Sequence, residues 1–209
     1  MNIEQHMRFF ELAAVRFRQE LDNLSELDSA LGDGDHGASM LKGFSMIWEK
    51  ISQQTYQDIG TLWMDAGKIL MKEVGGTCGP LFATILIKGG FSARGAQDTD
   101  AGRLAEMLHA GSEGVQTLGK ASPGDKTMVD ALAPAARAMD EAAGAGAGLE
   151  DALCCAVRAA RDGAAATKDM LASRGRGRYQ AENAIGHVDP GAVSVCILLE
   201  SLYEASKTA

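Results

Sequence analysis

No part of this 209-residue chain approaches the roughly 18 consecutive apolar residues that a bilayer-crossing helix needs, which excludes a helical membrane protein. The opening stretch, MNIEQHMRFFELAAVRFRQE, is interrupted by charge too often for a signal peptide, so the expected location is the cytoplasm. Positive charge is also short. Twenty Lys and Arg against 28 Asp and Glu give a formal net charge of −8. Nucleic-acid backbones and anionic membrane surfaces would be repelled, so neither is an expected partner. Cysteine is sparse and poorly placed for metal. Cys78, Cys154, Cys155 and Cys196 include no C-x-x-C pair, and adjacent Cys154 and Cys155 cannot readily bridge each other. The expectation is buried free thiols in a reducing compartment.

Two nucleotide and metal signatures are missing as well. GDKT at 124–127 ends like a Walker A motif, but Asp125 stands where the second glycine belongs and no hydrophobic strand leads into it. Twelve-residue loops counted from Asp33 or Asp35 end at Phe44 or Met46, where an EF-hand requires glutamate. No segment repeats internally.

What is present is helix-forming sequence cut by glycine. With 46% hydrophobic and 23% charged residues, the chain reads as one globular domain spanning 1–209. Met7, Phe10, Ala14, Phe17, Leu21 and Leu24 mark one face of a first helix that stops just before Asp28. Met40, Phe44, Ile47 and Ile51 mark a second. Asp58 caps a third carrying Leu62, Trp63, Ala66, Ile69 and Leu70. LFATILIKGGF at 81–91 is β-rich in composition, but every neighbour is helical and no second strand is available to pair with it, so it reads as helix. Asp100 opens a helix through Leu104, Leu108, Val115 and Leu118, and Asp125 or Ser122 caps one reaching Met139. GAGAG at 144–148 is a turn, and 150–172 is helical with Leu153 and Val157 inward. SRGRGR at 173–178 is not regular helix, and Asp189-Pro190 starts a last helix over 190–206. The expected fold is all-α, with about eight helices.

Glycine and aspartate recur where these helices begin: GDGDHGASM, GGTCGP, SPGDKT and GHVDPGAVS. A helix N-terminus exposes unpaired N–H groups and partial positive charge, which attract phosphate, and glycine permits close approach. Asp28, Asp33 and Asp35 crowd three carboxylates into one loop, and their repulsion calls for a hard cation such as Mg²⁺. Arg174, Arg176 and Arg178 read equally as a phosphate-reaching loop or as solvated surface. His36 and His187 lie beside glycines, and neither is assigned as a general base. Met128 reads as core.

LDSALGDGDHG, GGTCGPLF, GKASPGDKTMVDALAP and IGHVDPGAVS, in this order and at this spacing, resemble the nucleotide-binding (L) subunits of dihydroxyacetone kinases, the DAK2-domain family. The resemblance runs almost end to end. It implies an eight-helix antiparallel barrel or bundle with ADP or ATP at one end. It implies that Asp28, Asp33 and Asp35 hold two Mg²⁺ ions and that His36, Gly37, Ala38 and Ser39 hold the nucleotide at the next helix start. Thr77 and Cys78 form a second binding loop, and Gly119 and Met128 lie near the base. Arg176, Asp189, Pro190 and Gly191 make the remaining contacts. Cys78 departs from the family's usual serine, and a thiol is a weaker hydrogen-bond partner. RGRGRYQAEN departs from the usual Gly-Arg-Ala-Ser-Tyr-Leu-Gly-Glu, which leaves Arg176 or Arg178 as the nucleotide contact.

The resemblance further implies a phosphotransferase subunit that passes phosphate to dihydroxyacetone on a partner subunit. ADP would be recharged by a phosphohistidine protein of the phosphotransferase system. The alternatives are a subunit that exchanges ATP with solution and serves a related small ketose or sugar acid, and a non-catalytic nucleotide sensor. A transcriptional regulator as further partner and a homodimer are left open.

Overall fold

Local capping places several helix starts. Asp58, Asp100 and Asp189 each accept a backbone N–H three residues on, from Thr61 (2.9 Å), Arg103 (2.8 Å) and Ala192 (2.8 Å). The computed structural model describes residues 1–30, 32–180 and 182–207, without the side chains of Arg176 and Gln180. Its α-helices are α1 (Ile3–Gln19), α2 (Leu21–Ser29), α3 (His36–Ile51), α4 (Ile59–Glu73) and α5 (Cys78–Ser92), followed by α6 (Ala101–Gly119), α7 (Val129–Gly144), α8 (Leu149–Ala166) and α9 (Pro190–Ser206). Short 3₁₀ turns occupy Thr167–Asp169 and Arg176–Gln180. The all-α expectation holds, including helix rather than strand over 81–91. No helix among the described residues is long and apolar enough to cross a membrane.

Several expectations need correction, among them the helix expected over 150–172, which ends at Ala166. The first helix is two, because the backbone turns at Glu20 (φ −94°, ψ 8°), which places Asp28 inside α2 rather than in the loop after it. Neither Asp125 nor Ser122 caps α7. The cap residue is Met128, and Asp125 instead accepts the Ser122 N–H (2.8 Å) within the preceding turn. Of the four free thiols only Cys196 is buried, and Cys154 is exposed, because α8 turns that position outward. Leu118 also faces solvent.

The helices pack in the order α1, α3, α4, α5, α6, α7, α8, α9, and α9 returns to α1, so the contacts close a ring. α2 lies against α3 and α9. One contiguous apolar cluster fills the ring. Met40, Phe44, Ile47 and Ile51 of α3 are all fully buried, and Phe17 meets Phe44 at 4.7 Å between ring centres. Burial of such a side chain contributes about 1.5–3 kcal/mol. α9 is apolar around most of its girth and is correspondingly buried there.

One end of the ring carries a buried polar chain. Trp63 Nε1 donates to His6 Nδ1 (3.0 Å), which leaves His6 Nε2 to donate to Thr99 Oγ1 (2.8 Å). Burial, aided by the Met1 ammonium, pushes the His6 pKa down to about 3, so the ring is neutral.

Candidate functional site

Four helix starts meet at one place in the ring. There α3, α5, α7 and α9 start around a cleft of about 210 Å³. His36 and Ser39 border it from α3, Thr77 and Cys78 from the start of α5, Met128 and Val129 from α7, and Pro190 and Gly191 from α9. Gly119 borders it from the end of α6. Each helix N-terminus carries roughly half a unit of positive charge, so the four together favour an anion.

Negative charge gathers at one corner. Oxygen atoms of Asp28, Asp33 and Asp35 lie within 4.8 Å of one another. Asp28 is buried and accepts the His36 N–H (3.2 Å), whereas Asp33 and Asp35 are exposed. Asp35 is the N-cap residue of α3, and its carbonyl accepts from Ser39 N–H (2.9 Å). Three hard oxygen donors, Asp28 from the last turn of α2 and Asp33 and Asp35 from the loop before α3, suit Mg²⁺, which takes a few carboxylates and fills its remaining positions with water or phosphate oxygen.

His36 ties the helix starts together. Its Nε2 meets Ser194 Oγ of α9 at 2.8 Å, and its Nδ1 lies 3.7 Å from Cys78 Sγ of α5. Burial pushes its pKa down, opposed by the Asp28 carboxylate and a hydrogen bond to the Pro190 backbone. Cys78 Sγ also lies 3.5 Å from Met40 Sδ, so the thiol is in contact with the imidazole and a thioether.

At α9 the Asp189 carboxylate is pushed up to about 7, first by burial. The Ala192 N–H opposes that shift, the Asp130 and Asp28 carboxylates add to it, and Lys126 opposes it. At α7, Asp130 takes the Gly124 N–H (2.5 Å) and the Thr127 N–H (2.7 Å), so the turn is closed from inside the helix.

The expected residues do not all meet the cleft. Gly37 is buried between helices: a Cβ there would come 2.3 Å from the Leu21 carbonyl and 2.6 Å from Ser25 Oγ. Its missing side chain lets α3 approach α2, and it does not border the cleft. Ala38 is exposed and does not border it either. Asp33 joins the acidic corner without lining the cleft. Arg178 donates to Tyr179 OH (2.7 Å) and lies over that ring, 4.8 Å from its centre, and it too is absent from the lining. The Arg176 side chain lies outside the described residues.

Lys126 and Thr127 line the cleft without having been expected as its contacts, and of the arginines read as a phosphate-reaching loop or solvated surface, Arg174 lines it. Arg174 stands 3.9 Å from the Asp125 carboxylate. GDKT did flag Lys126, and the missing Walker frame hid its position at the same cleft.

The family model described as the DAK2 domain matches residues 30–204. The chain is 37% identical over 191 residues to the ADP-binding subunit DhaL of the PEP-dependent dihydroxyacetone kinase of Escherichia coli (strain K12), covering 91% of each chain. It is 33% identical over 181 residues to the ADP-binding subunit DhaL of the PTS-dependent dihydroxyacetone kinase of Lactococcus lactis subsp. lactis (strain IL1403), covering 87% of this chain and 86% of that one. The dihydroxyacetone kinase of C. freundii, solved in complex with AMP-PNP and Mg²⁺, superposes with a TM-score of 0.74 at 26% identity. That match covers 95% of this chain and 33% of the solved one, so this chain spans about a third of that kinase's length.

Proposed function

The chain belongs to the DAK2-domain family, and from that premise we propose that it is the nucleotide-binding subunit of a dihydroxyacetone kinase. It holds ADP or ATP with Mg²⁺ in the cleft and passes the terminal phosphoryl group to dihydroxyacetone on a partner subunit. The observation that carries this reading is the meeting of four helix N-termini with a three-carboxylate corner at one cleft.

In this reading residues 1–209 form one nucleotide-binding domain, and the ring of helices is the barrel that carries the site. The phosphates would lie against the N-termini of α3, α5, α7 and α9, whose N–H groups would hold them. Asp28, Asp33 and Asp35 hold two magnesium ions. Bound Mg²⁺ supplies the charge neutralisation that lets electron-rich phosphate approach the acceptor oxygen.

His36 does no proton transfer. It stays neutral and fixes the starts of α3, α5 and α9 relative to one another. Ser39, Thr77 and Cys78 border the nucleotide on one side, with Gly119 and Met128 beside the base, Asp189, Pro190 and Gly191 closing the other side, and Arg176 as the further contact that the family resemblance implies. Gly37 and Ala38 serve the packing and the start of α3. Phosphoryl transfer depends on positioning and electrostatics more than on a protein nucleophile, which fits a cleft built from helix N-termini beside a carboxylate corner.

The nucleotide works as a retained coenzyme in the cytoplasm, with ADP recharged by a phosphohistidine protein of the phosphotransferase system. Calorimetric titration with ADP, in Mg²⁺ and then in EDTA, tests the site. Tight binding lost on chelation is expected, and binding indifferent to EDTA would overturn the metal assignment. Assaying transfer in the presence of an active dihydroxyacetone-binding subunit separates a kinase subunit from a non-catalytic sensor that serves a regulator.

A further inference from the structure

The turn between α6 and α7 holds more than the start of α7. Lys126 is 2% exposed and takes a left-handed backbone conformation (φ +59°). A non-glycine residue keeps that conformation only where surrounding contacts offset about 1–3 kcal/mol. Its ammonium donates to the carbonyls of Thr167 (2.5 Å) and His187 (2.7 Å). Those carbonyls stand at the two ends of the segment that leaves α8 and returns to α9.

Further bonds close the same neck. Gly186 N–H donates to the Lys168 carbonyl (2.8 Å), and Asp189 N–H donates to Thr167 Oγ1 (2.9 Å). The first limb is tied to the residue next to Lys126. Ser173 N–H donates to the Asp125 carbonyl (3.3 Å), and the Ser173 hydroxyl donates to the Asp125 carboxylate.

This limb reaches the cleft, since Ala172, Arg174, Gly175 and Gly177 all border it. Ala172 and Ala184 are buried together against Ala30, directly after the helix that carries Asp28. The segment therefore runs across the site from the 122–130 turn to the acidic corner. With two of its three N–H donors committed to backbone carbonyls, Lys126 is placed to hold the chain rather than to receive phosphate. Burial opposes its charge, and the carboxylates of Asp189, Asp169 and Asp130 support it.

We propose that Lys126 is a positioning residue whose ammonium clamps both ends of the 168–186 segment, so that 172–177 stays over the bound nucleotide and slows its release. The proposal rests on the nucleotide reading of the cleft. Two readouts separate a clamp from general stabilisation: native-state trypsin cleavage within 168–178, which contains Lys168, Arg174, Arg176 and Arg178, and the dissociation rate of Mg–ADP.

Removing a charged donor from two carbonyls should raise both rates about tenfold or more in Lys126→Met, with helical circular dichroism unchanged. Lys126→Arg, which keeps the charge and the donors, should recover part of each loss. Ser173→Ala cuts the exposed tie and should raise both rates by about threefold to fivefold. Rates within twofold of wild type in Lys126→Met and Ser173→Ala would overturn the clamp. Should Lys126→Met fail to fold, Ser173→Ala decides by the same readouts. Cleavage is measured without nucleotide, so a wild-type protein that binds no Mg–ADP would sink the functional reading while the clamp is still judged on cleavage.

Discussion

Replacing Asp33 by asparagine should make the metal-free protein more stable and the loaded protein less so. Three carboxylate oxygens within 4.8 Å of one another repel. In water each pair at that distance costs about 0.9 kcal/mol, and Asp33→Asn removes two of the three pairs, about 2 kcal/mol at low salt. Screening with a Debye length of about 8 Å at physiological ionic strength reduces this to about 1 kcal/mol, and 1 M salt nearly abolishes it. For a chain of this size the low-salt gain corresponds to a rise in Tm of about 4–8 °C in EDTA. Adding Mg²⁺ and ADP at a hundred times the dissociation constant should stabilise wild type by about 2.7 kcal/mol and leave the variant nearly unmoved. The order of the two melting curves therefore inverts on loading. Thermal denaturation at low and high salt, with EDTA and with Mg–ADP, reads every term. A variant that melts below wild type in low-salt EDTA, or that keeps the full Mg–ADP shift, refutes the argument.

Two further outcomes follow from buried groups away from the acidic corner. His6 has an ordinary pKa near 6.5 unfolded and about 3 folded, so the unfolded chain binds more protons below 6.5. Its contribution is present above pH 6.5 and is lost as pH falls toward 3, by up to about 5 kcal/mol. Urea midpoints from pH 7 to pH 4 should fall more steeply in wild type than in His6→Gln, and equal slopes would remove His6 as the cause. Gly37→Ala drives a methyl group into the Leu21 carbonyl and Ser25. It should cost about 1–3 kcal/mol in urea denaturation and weaken Mg–ADP binding by parting α3 from α2, whereas unchanged stability would return Gly37 to a role in ligand approach.

Helix starts were legible because their signals are local. Asp58, Asp100 and the Asp189-Pro190 pair cap where they were expected, and the last helix runs over Pro190–Ser206 as anticipated. The β-rich run at 81–91 was read correctly from its helical surroundings, against its composition. What sequence could not carry is long-range closure. Glu20 is a good helix former, and nothing local announces the turn that puts Asp28 inside α2. The 122–130 turn depends on a left-handed lysine, and a residue without glycine's freedom gives no sign of that conformation in advance. Gly37 carried the right residue type for a ligand approach, yet the backbone it admits is that of α2. Arg178 packs on its neighbour Tyr179, a contact that the arginine spacing alone does not announce.

The central claim is that this cleft holds Mg–nucleotide for transfer to an acceptor on another subunit. The most direct measurement mixes the purified chain, loaded with γ-labelled ATP and Mg²⁺ and freed of excess nucleotide, with a dihydroxyacetone-binding subunit of this kinase family and dihydroxyacetone. The account predicts labelled dihydroxyacetone phosphate in a single turnover, abolished by EDTA and by Asp35→Asn. Label that stays on the nucleotide in the presence of a partner subunit shown to be active with another DAK2-domain chain would contradict it.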